Sequence, residues 1–421
     1  MILISIDCLN QRQFAHAIER GHAPNLGGLK EDSLAFSRAY SQAPWTTPAH
    51  MSMLSGLYPS QHGRDVPYGL MIQWNDFYPR VPAFTTLGDD LAAAGYRTAG
   101  FVGQGSISGV YGLSQGFAIF EERRKGKELS DLIGSIERVA EWLDEVPDEP
   151  FFLFFHTYDL HGPRPRGLES DEADIRYIDQ HLGRLLLDLK ARNLYEDSLV
   201  IVTGDHGSNM VETEGKCCVH GAGHYEENLK VPLLLKLPGA SRRGEESFLA
   251  RHVDLVPTVH DIVGLESRYD GPGRSLLIPY DAKGPGEEIV SYSEADGRCA
   301  LRRALVTDRY KYIYTQRDES QALFQANPRF FDETCEERCR DLPIEEFYDL
   351  RKDPYENQNL LPGKLDPVRA EAVERLRLEM ARLLNLPPRY TKSIMTGPRR
   401  TLDEQELQDL QESLRTLGYL P

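Results

Sequence analysis

The feature that most restricts the possible folds of this chain is a set of short apolar runs, each of which ends in titratable side chains. They are Met1 to Asp7, Pro150 to His156 and Ser198 to His206. Continuous apolar runs of this length are typical of strands that are buried on both faces. We therefore predict a parallel sheet whose strands deliver polar side chains at their carboxyl ends, where open α/β sheets place their sites.

Helical patterns alternate with these strands. The stretch Phe84 to Ala94 precedes another strand, Gly95 to Val102, and an amphipathic stretch from Glu172 to Arg192 precedes the Ser198 run. Strands that alternate with helices predict a mostly parallel sheet with right-handed crossovers. The fold class expected is α/β, with a large sheet sandwiched by helices.

The pattern changes beyond about Tyr280. Segments such as Arg303 to Thr307 and Tyr310 to Tyr314 alternate apolar with polar residues, which is typical of antiparallel strands with one wet face. With 421 residues, the chain is long enough for a second unit. We predict a catalytic α/β domain over 1–280, a smaller α+β subdomain over 281–386 and a tail over 387–421.

Two helices are expected in the last sixty residues. Asp366 can cap one that has Pro367 at its first position. The other begins near a capping-box sequence, Thr401 to Glu404, and carries a leucine stripe that includes Leu410 and Leu414. That stripe favours packing in a core or a dimer over a ligand site.

Composition excludes several classes of protein. Asp and Glu total 65 against 48 for Lys and Arg, and the resulting charge of -17 disfavours nucleic acid as a partner. No run of 18 apolar residues occurs, so no integral membrane segment is expected. The first residues have no basic region of a signal peptide, which predicts a cytoplasmic location. The oligomeric state stays open, with a homo-oligomer as one alternative.

Four residues are candidate ligands of one divalent metal. Asp7 and Asp205 end separate strands, and parallel topology brings both to one edge of the sheet, where His206 can join them. Thr46 stands at the start of a helix with Pro48 in its first turn, so its hydroxyl can face the same ion. Two carboxylates, a hydroxyl and an imidazole suit manganese or zinc better than magnesium or calcium, which remain alternatives.

The segment from Pro44 to Gly63 closely resembles the sulfatase signature of the alkaline phosphatase superfamily. In that signature a Cys or Ser, any residue, Pro, Ser and Arg open a helix, and a Gly-any-Tyr-Pro-any-any-His-Gly sequence ends it. Further motifs fall in the family's order along nearly the whole chain: Asp7, Asp205 to Gly207, Tyr225 to Glu227, His252 to Thr258 and Phe347 to Pro354. The resemblance implies an alkaline-phosphatase-like fold and a metal-dependent ester hydrolase.

Three positions depart from the family pattern. Thr46 stands where sulfatases have the Cys or Ser that becomes formylglycine, and a secondary alcohol cannot undergo that conversion. We therefore expect no formylglycine. His50 replaces the signature Arg, and Cys8 replaces the second residue of the usual Asp-Asp pair. The sequence resembles phosphoester members of the superfamily in having a Thr nucleophile.

The resemblance also implies roles for several histidines. His161 matches a family histidine that contacts the transferring group, and His156 lies beside it. His220, or less favourably His224, stands near the position of a family lysine and replaces it as the leaving-group acid. We expect His50, His161 and His220 to join Thr46 as catalytic residues. His156, His224 and Thr47 are expected to bind substrate.

The function predicted is hydrolysis of a small anionic phosphoester, either a phosphodiester or a phosphate or phosphonate monoester. Thr46 attacks the ester and forms a covalent intermediate. One alternative is a sulfatase that works without formylglycine. Further alternatives are a transferase of a phosphoryl-linked group and a binding protein that has lost the reaction.

Overall fold

The computed structural model describes most of the chain at the level of individual residues. The described ranges are 1–63, 84–123, 131–146, 149–161, 168–208, 223–265, 269–278, 291–297, 300–316, 342–386 and 401–416. The expected domain boundaries near 280 and 387 lie at or inside segments outside these ranges, so they stay predictions.

Within the described ranges, two sheets and eleven α-helices form the molecule. The strands are β1 Ile2–Ile6, β2 Leu34–Tyr40, β3 Arg97–Val102, β4 Ile119–Glu122, β5 Phe151–Thr157, β6 Val200–Gly204, β7 Lys230–Lys236, β8 Gly244–Glu246, β9 Ala250–Arg251, β10 Ser291–Gly297, β11 Ala300–Val306, β12 Tyr310–Gln316 and β13 Glu345–Asp349. The helices are α1 Gln11–Glu19, α2 Pro24–Glu31, α3 Thr46–Ser55, α4 Pro59–His62, α5 Leu87–Ala93, α6 Leu132–Glu145, α7 Leu168–Ala191, α8 Glu226–Leu229, α9 Leu255–Val263, α10 Pro367–Leu384 and α11 Glu404–Thr416. Short 3₁₀ turns cover Gly109–Tyr111, Pro238–Ala240 and His252–Asp254.

The large sheet has the strand order β4-β3-β5-β1-β6-β7-β2-β8, and β9 pairs with β2. Most neighbours run parallel, but β7 is antiparallel to both β6 and β2. Helices α1, α2, α6 and α7 cover one face, and α3, α5, α9 and α11 cover the other. The predicted α/β architecture is confirmed, because apolar residues of each central strand alternate between these two cores.

A row of polar side chains interrupts that alternation at the carboxyl ends of the central strands. Ser5 of β1 lies in register with His156 of β5 and with Thr203 of β6. Residues in parallel register point to the same face, and here that face carries α3. The row lies directly beneath the edge of the sheet where Asp7 and Asp205 begin the loops.

The smaller sheet is antiparallel with the order β10-β11-β12-β13, as expected for the C-terminal part. A buried ionic group joins it to the larger sheet. Lys311 Nζ of β12 lies 3.2 Å from Glu226 Oε1 in α8 and 2.9 Å from Glu356 Oε1. Because α8 follows closely on the site loops, this contact ties the small sheet to the region of the site.

The C-terminal helix α11 packs into the core of the larger unit. Leu410 and Leu414 are buried among the same residues that surround α3, and Ser413 contacts Gln104 at 3.2 Å. Of the two alternatives for its leucine stripe, core packing is the one observed. No helix in the described part of the chain is both long and apolar enough to span a bilayer.

Candidate active site

Thr46 is the first residue of α3 and is fully buried. The preceding residue, Trp45, is extended and makes no side-chain cap, so the helix begins without a polar side chain over its first turn. Pro48 supplies the helical φ and no amide hydrogen. The remaining first-turn amides have no acceptor inside the helix, which makes this end suited to an anion.

Asp7, Asp205 and His206 converge on the Thr46 hydroxyl. Thr46 Oγ1 donates to Asp7 Oδ2 at 3.1 Å and lies 3.4 Å from His206 Nε2. Asp205 Oδ2 lies 3.4 Å from the same His206 nitrogen. All four side chains are inaccessible to solvent. The parallel sheet has therefore brought together residues as far apart in sequence as 7 and 206.

Backbone hydrogen bonds fix which atoms face the centre. His206 Nδ1 contacts the Gly207 carbonyl at 2.8 Å, so this nitrogen carries the hydrogen and Nε2 keeps a lone pair. Asp205 Oδ1 accepts from the amides of Cys8 and His206 at 3.1 and 2.7 Å. Asp205 Oδ2 and Asp7 Oδ1 have no hydrogen-bond partner among the described residues. Several electron-rich atoms thus face one another in a dry site.

The two carboxyl groups have opposite pKa shifts. Burial raises the pKa of Asp205 well above its usual value, and the charge of Asp7 raises it further. Burial also opposes ionisation of Asp7, but the adjacent His156, His161 and His206 outweigh it and bring the pKa of Asp7 well below its usual value. Two carboxylates this close are stable together only when positive charge lies between or beside them.

A divalent cation fits this donor set. Ligand atoms of Asp7, Asp205 and His206 all lie within 4.8 Å of one another. Unpartnered carboxylate oxygens and an imidazole lone pair are donors that such an ion uses, and the hydroxyl of Thr46 lies beside them. The His206 bond to Gly207 is the kind of contact that orients a metal-ligating imidazole.

His50 contacts the backbone of Thr46, and its Nδ1 lies 3.6 Å from Asp205 Oδ2. Its Nδ1 donates to the Thr46 carbonyl at 2.8 Å, and its Nε2 accepts from Ser5 Oγ at 2.8 Å. The ring is fully buried, and burial lowers its pKa well below the usual value. Because both ring nitrogens are engaged, the structure supports a role for His50 in holding Thr46, and the predicted catalytic role stays a prediction.

His156 and His161 approach the site from the end of β5. His156 Nε2 lies 3.6 Å from Asp7 Oδ2, and its ring makes edge contacts with His50 and with Tyr158. The turn after β5 closes when the His161 amide donates to the Tyr158 carbonyl at 2.7 Å. The two histidines predicted from the Phe155 to Pro163 segment are thus beside the site.

The other three residues predicted to act in the site are Thr47, His224 and His220. The Thr47 hydroxyl donates to the carbonyl of Ser106 in the loop after β3, so its hydrogen is used within the protein. The predicted contact between Thr47 and substrate stays a prediction. His224 is fully buried two residues before α8 begins. His220 lies outside the described residues, and its predicted role in catalysis stays a prediction.

Sequence reasoning missed the polar row beneath the site. Ser5 holds His50, and Thr203 Oγ1 lies 3.1 Å from Nε2 of His252, a buried histidine. A signal was present, because Ser5 and Thr203 are polar residues inside otherwise apolar strands. Their partners could not be read from the sequence, since they come from α3 and from the turn before α9.

Comparison with known proteins decides the family. A family model described as Sulfatase matches residues 13–265, which is more than half of the chain. The chain belongs to the sulfatase family. Human arylsulfatase A is 28% identical over 255 residues, which cover 56% of this chain and 50% of that protein. The chain therefore spans half the length of this relative.

Two further proteins similar to this sulfatase-family chain are not named as sulfatases. A multifunctional alkaline phosphatase superfamily protein of Trinickia caryophylli is 24% identical and covers 80% of this chain and 85% of its own length. The phosphonate monoester hydrolase of Silicibacter pomeroyi has the same fold, with a TM-score of 0.68 and 17% identity over 95% of this chain and 98% of its own. Membership of the sulfatase family supports an ester hydrolase, and the solved structure shows that the fold is shared.

Proposed function

We propose that this chain is a metal-dependent hydrolase of phosphoric esters that uses Thr46 as its nucleophile. The observation that carries the proposal is the position of the Thr46 hydroxyl. It is buried at the first turn of α3, 3.1 Å from Asp7 Oδ2 and 3.4 Å from His206 Nε2. A hydroxyl in such a setting has a fixed orientation, and the amino end of α3 supplies a positive dipole that stabilises an alkoxide.

Asp7, Thr46, Asp205 and His206 would hold the cation. When bound, the cation would lower the pKa of the Thr46 hydroxyl and offset negative charge on the ester. Asp7 Oδ2 fixes the Thr46 rotamer by accepting its hydrogen bond, and His50 fixes the backbone through the Thr46 carbonyl. The helix amides after Trp45 supply fixed dipoles where the ester oxygens would lie.

The reaction proposed is an in-line displacement in two steps. Thr46 gives up its hydroxyl proton and Oγ1 forms a bond to phosphorus, while the bond from phosphorus to the leaving oxygen breaks and that oxygen takes up one proton. Water then attacks phosphorus as the bond from phosphorus to Thr46 Oγ1 breaks, and one proton of that water passes to Oγ1, which restores the Thr46 hydroxyl and releases the phosphoryl product. His161, which has a ring nitrogen within 4.8 Å of a carboxylate oxygen of Asp7, is one candidate for contact with an ester oxygen or the leaving group, and His220 is the second candidate for that proton.

Hydrolysis of a sulfuric ester is the second candidate function. The family match and the similarity to human arylsulfatase A favour it. The side chain at position 46 favours the phosphoester, because an unmodified threonine hydroxyl cannot form the hydrated aldehyde on which formylglycine sulfatases depend. The same four residues would serve either substrate.

A panel of nitrophenyl esters tests both candidates. Phosphate monoesters, phosphodiesters, phosphonates and sulfates are assayed with manganese, zinc, magnesium and calcium in turn. Under the proposal, a phosphorus ester is turned over fastest and chelation abolishes turnover. Sulfate turnover equal to or faster than every phosphorus ester would instead support the second candidate.

Replacement of the nucleophile tests the mechanism. We expect Thr46→Ala to lower kcat by about three orders of magnitude or more, and Thr46→Ser to retain part of the rate, because serine keeps the hydroxyl. Acid quench and peptide mass spectrometry should then find a phosphorylated residue 46 in the wild type. Thr258→Ala is the matched control, since Thr258 is also buried in a helix but donates to the Asp254 carbonyl. Activity of Thr46→Ala within about tenfold of the wild type contradicts a nucleophilic Thr46.

A further inference from the structure

A second group of metal-ligating side chains adjoins the site. Ligand atoms of Asp7, Cys8 and His161 all lie within 4.8 Å of one another. Among the described residues, Asp7 is shared between this group and the one that contains Asp205 and His206. Cys8 and His161 are not among the cation ligands of the proposed function.

The backbone explains how these three side chains meet. In a strand, consecutive side chains point to opposite faces, but β1 ends at Ile6 and Cys8 adopts the left-handed φ of 62°. Ile6 is in register with Thr157, so Asp7 lies next to the start of the turn after β5. That turn, closed by the His161 amide on the Tyr158 carbonyl, brings His161 back toward Asp7 and Cys8.

The residue that the two groups share, Asp7, has a buried oxygen without a hydrogen-bond partner among the described residues. Asp7 is fully buried, and its Oδ2 already accepts from Thr46. Its Oδ1 has no hydrogen-bond partner among the described residues. A carboxylate offers about four lone-pair positions on its two oxygens, so one group can serve two ions.

The residue types select the ion. A thiolate, an imidazole and a carboxylate are the donors of tetrahedral zinc, with an open fourth position for water. Soft sulfur ligands favour zinc or cobalt over magnesium, calcium or manganese. Cys8 is buried and carries no disulfide, and His161 is partly exposed, which gives an ion a way in. Ligand atoms around zinc lie roughly 3 to 4 Å apart. Small side-chain rotations would bring the ligand atoms of Asp7, Cys8 and His161 to that separation.

We propose that Asp7, Cys8 and His161 form a second cation site, selective for a thiophilic divalent ion such as Zn²⁺, and that Asp7 bridges it to the first site. The proposal goes beyond the proposed function and does not require Thr46 to be the nucleophile. In this arrangement His161 is a ligand of the second ion in place of a direct contact to the ester, and His220 is then the candidate that gives the leaving group its proton.

Metal titration without substrate tests the second site. Metal-free protein is titrated with Co²⁺, which gives a sulfur-to-cobalt charge-transfer band in the near ultraviolet only when a thiolate is bound. Zinc content is measured by elemental analysis after gel filtration. We expect two ions per chain and a charge-transfer band in the wild type. Thr46→Ala should keep the band even if it abolishes activity.

Two variants separate the sites. Cys8→Ser should lose the band and one of the two ions, whereas His206→Asn should lose one ion and keep the band. His16→Asn is the matched control, because His16 pairs with Glu172 and should retain both ions. One ion in the wild type, a band that survives in Cys8→Ser, or a band lost in His206→Asn each overturns the proposal.

Near-ultraviolet circular dichroism shows whether Cys8→Ser folds. If it does not fold, X-ray spectroscopy of the wild type tests the same proposal. X-ray absorption at the zinc edge should show one sulfur neighbour per two zinc ions at about 2.3 Å. Zinc surrounded by nitrogen and oxygen alone contradicts the proposed site.

Discussion

At the scale of single residues, the site depends on polar contacts made one layer below it. Ser5 holds His50, and His50 in turn holds the carbonyl of Thr46. None of these groups reaches a solvent-accessible surface. In a dry environment a lost partner leaves a polar atom without compensation, so each of these contacts affects stability more than a surface hydrogen bond does.

Ser5→Ala tests that layer. We expect the free energy of unfolding to fall by about 1 to 3 kcal/mol, because His50 Nε2 loses its donor in a buried position. Urea denaturation measures the change. Ser33→Ala is the control, since the Ser33 hydroxyl donates to the Leu29 carbonyl, which also accepts from a backbone amide. An equal loss in both variants would show that the Ser5 contact has no special importance.

At the scale of secondary-structure elements, α8 connects the small sheet to the site. The Asn228 carbonyl of α8 accepts from the amide of Gly207, which follows His206. Glu226, in the same helix, contacts Lys311 of β12. Burial opposes ionisation of Glu226, but Lys311 and Lys230 outweigh it and lower its pKa. One ionic group thus fixes both the small sheet and the loop that carries His206.

Lys311→Met tests this connection. Lys311 lies between Glu226 and Glu356, and its removal leaves the buried carboxyl group of Glu356 beside the partly buried one of Glu226, so we expect a loss of about 3 to 5 kcal/mol in unfolding free energy. Lys30→Met is the control. Lys30 pairs with Glu245 at an exposed position, so the change should stay below about 1 kcal/mol. A comparably small loss in Lys311→Met contradicts the expected importance of the buried group.

The C-terminal helix α11 makes a separate prediction. Leu414 is fully buried in the core around α3, so Leu414→Ala should lower the unfolding free energy by about 2 to 5 kcal/mol. Leu378→Ala in α10 removes the same atoms from a side chain that is 73% exposed and should change stability by less than about 0.5 kcal/mol. Thermal or chemical denaturation of both variants decides whether α11 is part of the folded unit.

At the scale of the whole molecule, buried histidines predict a stability that depends on pH. Burial lowers the pKa of His252 from 6.5 to about 3. The folded protein therefore holds this ring neutral at pH values where the unfolded chain protonates it. The contribution of the neutral His252 ring to the free energy of unfolding is therefore complete above pH 6.5. It is lost as the pH falls toward 3, by about 1.4 kcal/mol for each pH unit.

His252→Gln tests this dependence. Urea denaturation between pH 7 and 5 should show a shallower fall in unfolding free energy for the variant than for the wild type. Thr258→Ala changes a buried side chain without removing a titratable group, so it should leave the slope of the wild type unchanged. Identical slopes for His252→Gln and the wild type would refute the contribution of His252.

The sequence by itself determined the architecture and the ends of the central strands. Short apolar runs that stop at Asp7, His156 and Asp205 are typical of buried strands, and parallel strands end at one edge of a sheet. The family resemblance added Thr46 as the residue that faces them. These inferences depend on local pattern and on topology, which a sequence records directly.

Only the tertiary structure decided how the side chains meet. It placed both nitrogens of His50 on Ser5 and Thr46, turned Cys8 toward His161 through a left-handed backbone, and buried α11 in the main core. Each outcome depends on contacts between residues that are distant in sequence, or on a single dihedral angle. Strand and helix periodicity carries no information about either, because it records which face a residue occupies and not which partner lies opposite.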